Sequence, residues 1–97
     1  MLEKIRSEIE LVHRHLGVIR VVAALQPIGI MKLAEVTGEP SHRIRYSLKV
    51  LEAQGYIRAS PAGAVITGAA GEMLANFDVE IDTLIALLEE MRGVNTP

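Results

Sequence analysis

The chain of 97 residues has no cysteine and no tryptophan, and its only aromatic residues are Tyr46, Tyr56 and Phe77. Without cysteine there is no disulfide framework, no thiolate zinc site and no Cys nucleophile. With three rings, the core must be built from Leu, Ile, Val and Ala. Long apolar runs are also missing. Residues 21–31 and 59–71 are uncharged but broken by proline and glycine, and a bilayer span needs roughly 20 apolar residues. The opening Met-Leu-Glu-Lys-Ile-Arg mixes both charges with no apolar region behind it, so it does not read as a signal peptide. The expected location is the cytoplasm, with no membrane partner. A surplus of positive charge is absent as well: ten Lys plus Arg against twelve Asp plus Glu give a net charge of −2. A polybasic, histone-like binder is excluded.

What is present is a 49% apolar fraction, enough to bury surface against the entropy of ordering. A length of this order fits one domain. The charge is unevenly spread. Residues 1–26 carry four basic and three acidic side chains, 27–60 five and three, and 61–97 one and six. A basic segment is thus joined to an acidic one.

Leu2, Ile5, Ile9, Val12, Leu16, Ile19 and Ala23 recur at alternating spacings of three and four, which lines them up on one helix face. Gly17 is unfavourable in a helix interior, so the segment is either one helix or two meeting near His15. Val18, Val21, Val22 and Leu25 make its second half apolar nearly all round, which predicts burial. Pro27 and Gly29 stop it. A short helix follows over 30–36, with Ile30, Leu33 and Ala34 on one side, ended by Thr37 and Gly38. Ser41 is placed to cap a third helix over about 41–54, with Ile44, Leu48 and Leu51 inward and Gly55 as its left-handed end. Residues 56–59 and 64–67 read as strands around a turn at 60–63. A last helix runs from about Ala69 to Arg92, stopped by Gly93.

Three phrases carry a family resemblance. Met31-Lys32-Leu33-Ala34-Glu35-Val36-Thr37-Gly38 looks like the second helix of a helix-turn-helix. Residues 41–57, with Leu48-Lys49-Val50-Leu51-Glu52-Ala53-Gln54-Gly55-Tyr56-Ile57 intact, look like a recognition helix and its exit. Val65-Ile66-Thr67-Gly68-Ala69-Ala70-Gly71-Glu72-Met73-Leu74 is similar to the passage from a wing into a dimerising helix. Over residues 15–74 the chain resembles the winged helix-turn-helix transcriptional regulators, and among them small archaeal and bacterial members with a C-terminal dimer helix. The resemblance implies a mainly α fold with a small β-hairpin wing (α+β). It divides a single domain into an N-terminal helical extension (1–14), a winged core (15–67) and a dimerisation helix (68–93). It also implies double-stranded DNA as partner.

A reader helix buries one face and offers polar and basic groups to the major groove. Outside Ile44, Leu48 and Leu51, the residues Ser41, His42, Arg43, Arg45, Tyr46, Ser47 and Lys49 are divided between flank and groove. His42, Arg45, Tyr46 and Lys49 share one side of the third helix. Arg45 and Tyr46 are the candidates for base edges and Arg43 and Lys49 for phosphates, with Ser41 and His42 beside them. The wing turn carries no charge, so Arg58 is its only candidate phosphate contact. A small phosphate count implies a shallow salt dependence.

In the last helix Leu74, Phe77, Ile81, Leu84, Leu88 and Met91 repeat at three and four. The core needs only part of this stripe, and an exposed remainder marks an interface. Its partner is either the leading helix of the same chain, through Leu2, Ile5 and Ile9, or the same helices of a second chain. An intermolecular layer of both, in a two-fold homodimer, is the favoured expectation. Asp78, Glu80, Asp82, Glu89 and Glu90 read as a solvated acidic face. His13, His15 and His42 lack zinc spacing. His13 and Arg14 fit either the DNA or the dimer layer. With no phosphate loop, nucleophile elbow or metalloprotease motif, neither catalysis nor a cofactor is expected, and an effector ligand is left open. The other reading is a winged-helix module that binds a protein partner and no DNA, which the acidic balance and uncharged wing favour.

Overall fold

Six elements follow from local chemistry in a computed structural model, which describes residues 1–93. They are α1 (Glu3–Leu25), α2 (Ile30–Thr37), α3 (Ser41–Ala53), β1 (Ile57–Ser60), β2 (Gly63–Ile66) and α4 (Gly68–Glu90). The architecture is mainly helical with one antiparallel two-stranded hairpin, an α+β arrangement.

α1 is a single helix of 23 residues, unbroken at Gly17, so the boundary at 14/15 marks no change of direction. A Cβ at Gly17 would meet nothing within 4 Å, and the helix tolerates the glycine as a local entropic cost alone. After Pro27 the chain turns through Ile28, whose amide donates to the Ala64 carbonyl (3.2 Å) and whose carbonyl accepts from the Ala64 amide (2.8 Å). This one-residue bridge adds a stub to the hairpin beside β2. Gln26 ties the same corner, its Oε1 accepting from the Ile66 amide at 2.9 Å.

Gly38, at φ 74°, closes α2. The next corner is held by Thr37, whose hydroxyl donates to the Leu33 carbonyl (2.7 Å) and accepts from the Glu39 amide (3.2 Å). Ser41 does not cap α3: it is the first helical residue and Pro40 occupies the cap. The Pro40 carbonyl accepts from the third and fourth amides of the helix, those of Arg43 and Ile44. At its other end α3 stops at Gly55, φ 81°, the left-handed residue expected there.

The strands lie one residue away from their sequence-predicted positions. Ser60 pairs with Gly63, leaving a two-residue turn of Pro61 and Ala62. The shift follows from Ser60, whose hydroxyl donates to the Gly63 carbonyl at 2.6 Å and makes both residues part of the ladder.

Val18, Ile19 and Val22 of α1 meet Ile28, Leu33, Ile44, Leu51, Ile57 and Ala70 in one buried cluster. One sequence expectation fails here, at Leu25, and one holds in part, at Leu48, which packs against the cluster without being fully buried. Leu25 is half exposed, because the helix ends where it would have to turn inward. In α3 the fully buried positions are Ile44, Ser47 and Leu51, with Leu48 only half buried. α4 starts at Thr67, whose hydroxyl donates to the Gly55 carbonyl (2.6 Å) and accepts from the Ala70 amide (3.3 Å). It touches the cluster through Ala70, Met73 and Leu74 and then leaves it. Every residue from Asp78 to Gly93 is exposed, as are residues 1–10 of the chain. The result is a body 61 × 27 × 21 Å with a radius of gyration of 16.0 Å, against about 13 Å for a compact chain of this size. Among the described residues no helix is long and apolar enough to cross a membrane.

Two glycines respond oppositely to a methyl group. A Cβ on Gly63, at φ 134°, would lie 2.6–2.7 Å from the Ile28 backbone, so Gly63→Ala is expected to cost about 2 kcal/mol or more. Gly17→Ala is expected to add about 0.5–1 kcal/mol. Urea unfolding of both variants checks the pair of signs.

Candidate nucleic-acid interface

The buried edge of α3 fixes what the rest of the helix presents. Residues advance about 100° each around a helix, so with Ile44, Ser47 and Leu51 inward, His42, Tyr46 and Lys49 point away from the body. Arg45 and Glu52 turn toward the hairpin, while Arg43 turns to the opposite flank. His42, Arg45, Tyr46 and Lys49 are all exposed. Among the described residues, His42, Arg45 and Lys49 make no hydrogen bond or ion pair with the protein. Arg43 is engaged instead by Glu39 of the preceding turn, at 3.6 Å. Ser41 is exposed at the start of the helix.

Arg58 stands apart from this set. Neighbouring residues of a strand face opposite sides, and Ile57 and Ala59 line the space between hairpin and α3 while Arg58 does not. That space is a groove of about 560 Å³ between α3, the hairpin and the segment Ile28-Gly29-Ile30. Its α3 wall carries Arg45 and Lys49; its hairpin wall carries no charge.

Ser47 departs from the sequence expectation, which leaves it among the residues shared between flank and groove. It is fully buried, and its hydroxyl hydrogen-bonds the His15 Nδ1 of α1 at 2.8 Å. The His15 ring also lies 5.8 Å from that of Tyr46, tilted by 39°. Tyr46 is thereby anchored on one side to α1. The spacing carries a signal for this pair: Ser47 falls three residues after Ile44 and four before Leu51, on the apolar stripe itself, and His15 falls three before Val18. His15 Nε2 and Arg14 Nε are buried without a hydrogen-bond partner among the described residues. Arg14 as a whole is half buried, while His13 is exposed.

Away from α3, Phe77 of α4 is half buried and the Arg20 guanidinium lies 6.0 Å from its ring centre, at the outer limit of a cation–π contact. α1 and α4 flank a cavity of about 230 Å³, with Val12, His15, Leu16 and Ile19 on one side and Met73, Phe77 and Glu80 on the other. Leu74 and Phe77 are thus used partly within the chain. Leu2, Ile5, Ile9, Ile81, Leu84, Leu88 and Met91 stay exposed, between 38% and 60%. Among the described residues no group of His, Asp and Glu is arranged to hold a metal ion.

Burial, and after it the Arg14 charge, hold the His15 imidazole below its ordinary range. The unfolded chain therefore binds more protons than the folded one once the pH falls below about 6.5. The contribution is complete above that value and is lost as the pH drops toward the depressed one. The urea midpoint is expected to fall between about pH 7.5 and pH 5.5, above the range where carboxylates titrate. The fall should be smaller in His15→Gln. A midpoint that rises toward the acid side contradicts this account.

No family model matches the chain, and no curated protein matches it. Among solved structures, it is similar to the activation domain of the phage T4 transcription factor MotA. The TM-score is 0.61 at 19% identity, over 80% of this chain and 82% of that one. At that identity the likeness concerns the fold: helices joined to a small antiparallel hairpin.

Proposed function

We propose that the chain is a homodimeric, sequence-specific DNA-binding protein that regulates transcription, with α3 in the major groove of double-stranded DNA. The observation that carries this reading is the outer face of α3. His42, Arg45 and Lys49 project from a helix whose opposite face is locked in the core, and none is bonded to the protein among the described residues. Unpaired donors on a rigid helix are what bidentate reading of base edges requires. In this reading Arg45 and Tyr46 lie nearest the bases and Lys49 on a phosphate. Arg43 reaches a phosphate by exchanging its Glu39 partner, and Ser41 and His42 lie at the leading end. Arg58 is the weakest member, because it faces away from the α3 groove. The chain acts in the cytoplasm, catalyses no reaction and holds no cofactor.

The dimer follows from the two exposed stripes. Leu2, Ile5 and Ile9 of α1 and Ile81, Leu84, Leu88 and Met91 of α4 lie beyond the core, on helices that flank a common cavity. A two-fold layer of these helices covers both stripes at once. Six carboxylates and no basic residue lie on α4, so this end is repelled by DNA and the α3 end faces it. The resemblance to part of a transcription factor supports a role in transcription. That neighbour is an activation domain, which favours the second reading, a module that docks on another protein.

Fluorescence anisotropy on a random-sequence duplex separates the two. At low salt the chain is expected to bind in the micromolar range, with the slope of about two to four phosphate contacts on raising the salt. Arg45→Ala/Lys49→Ala should weaken binding about tenfold or more. No binding at low salt removes the DNA reading. For the dimer, Leu84→Glu/Leu88→Glu changes positions outside the hydrophobic cluster, so the variant should stay folded, with a melting temperature lower than that of the native chain and independent of concentration. Sedimentation velocity is expected to show a dimer for the native chain and a monomer for this variant; a native monomer ends that part of the proposal.

A further inference from the structure

The groove between α3 and the hairpin combines two surfaces that a nucleic-acid backbone does not use together. Its floor is apolar, formed by the half-buried Ile30, Leu48 and Ala64 over the buried Ile28 and Ile57, with Ala59 exposed along it. Its rim on the hairpin side is Pro61 and Ala62, without a donor side chain. Its rim on the α3 side is Arg45 and Lys49, one helical turn apart and unpaired among the described residues. Glu52 closes the end of that wall. A sugar-phosphate strand laid here would meet cations on one side only and would leave its charged oxygens over an apolar floor, an arrangement that burial penalises. The volume of about 560 Å³ lies within the range of about 300–1,000 Å³ typical of ligand pockets.

We infer that this groove is a docking site for a short acidic and apolar peptide segment of a partner protein, its apolar side chains on the floor and its carboxylates on Arg45 and Lys49. The occupant is set by complementarity. Apolar side chains recover the free energy of covering the floor. Carboxylates one turn apart match the spacing of the two cations. Glu52 repels a carboxylate at its own end, so the acidic residues of the segment stop at Lys49 and an uncharged residue lies opposite Glu52. Because Arg45 and Lys49 also belong to the proposed DNA face, peptide and duplex compete for the same two side chains. The docking site stands on the groove alone and holds whether or not the chain binds DNA.

The test uses the full chain and a fluorescein-labelled synthetic peptide of about 14 residues, with leucines at helical spacing and Asp or Glu between them. A control peptide carries Asn and Gln in place of the acids. Anisotropy is expected to give a dissociation constant between about 1 and 100 μM for the acidic peptide. The control should bind at least about tenfold more weakly, and Arg45→Ala/Lys49→Ala should lose a similar factor. Ala59→Gln places a polar amide on the floor without changing charge. It should weaken the peptide about fivefold or more while leaving duplex binding unchanged. Ala62→Gln, in the exposed turn on the groove rim and likewise neutral, serves the same purpose should Ala59→Gln shift the melting temperature. No binding of the acidic peptide at about 1 mM, or binding indifferent to both the groove and the Arg45/Lys49 substitutions, overturns the inference. Peptide binding with no duplex binding upholds it and removes the DNA reading; duplex binding with no peptide binding does the reverse.

Discussion

The position of the hairpin relative to α3 rests on the two hydrogen bonds between Ile28 and Ala64. They hold the chain just after α1 against the outer edge of β2, so the same segment that closes the core also builds one end of the groove. The approach leaves no room for a side chain on Gly63, whose missing Cβ is what allows the Ile28 backbone to pass. A hairpin of four residues per strand is too short to be stable by itself. It is stable here because Ile57 enters the core from β1 and because Gln26 and Thr67 fasten its open end to the end of α1 and to the exit of α3. Wing, groove and the start of α4 therefore stand or fall together.

The second organising contact is polar. His15 and Ser47 place a hydrogen bond inside the contact of α1 with α3, where an apolar pair would have packed without angular preference. A hydrogen bond has a preferred direction, so this pair acts with the buried Ile44 and Leu51 to set the rotation of α3 about its own axis. That rotation decides which residues face outward. His42, Tyr46 and Lys49 are presented because Ser47 is not, and Tyr46 is steadied by the ring of His15. The cost is a histidine kept in a setting that disfavours its charged form.

Much of the fold is legible in the sequence because each element has a local cause. The three-and-four spacing of α1, the stop at Pro27, the end of α2 at Gly38 and the left-handed glycine at 55 each belong to one turn of chain and are visible there. The hairpin is visible too, but one residue out of place, since the ladder is extended by the Ser60 hydroxyl, which a pattern of apolar residues does not register. The Ser41 cap fails because α3 begins one residue earlier than expected, which puts Pro40 at the cap position and makes Ser41 the first helical residue. For the site, the exposed set on α3 can be read from angular spacing. Residue type misleads at Ser47, because a serine is buried only when a partner from another element reaches it, and that partner lies 32 residues away. The groove depends wholly on where the hairpin lands and is beyond reach of any single segment. The orientation of Arg58 is hidden for the same reason as the strand register.

The long α4 has a mechanical meaning. It is held through Thr67, Ala70, Met73, Leu74 and Phe77, all at or within its first three turns, and is free beyond them. From Phe77 to Met91 the free arm is about 21 Å at 1.5 Å per residue. A tilt of about 10° at Phe77 carries the tip through about 4 Å, which is most of the width of one side chain. The weak grip of Arg20 on Phe77 and the cavity behind that ring leave the pivot loosely filled. Whatever seats the tip sets the angle at the root, and the root shares the Thr67 hydroxyl with the end of α3. The arm is thus joined at its root, through a single hydroxyl, to the residue that ends α3, the helix that carries the free cations.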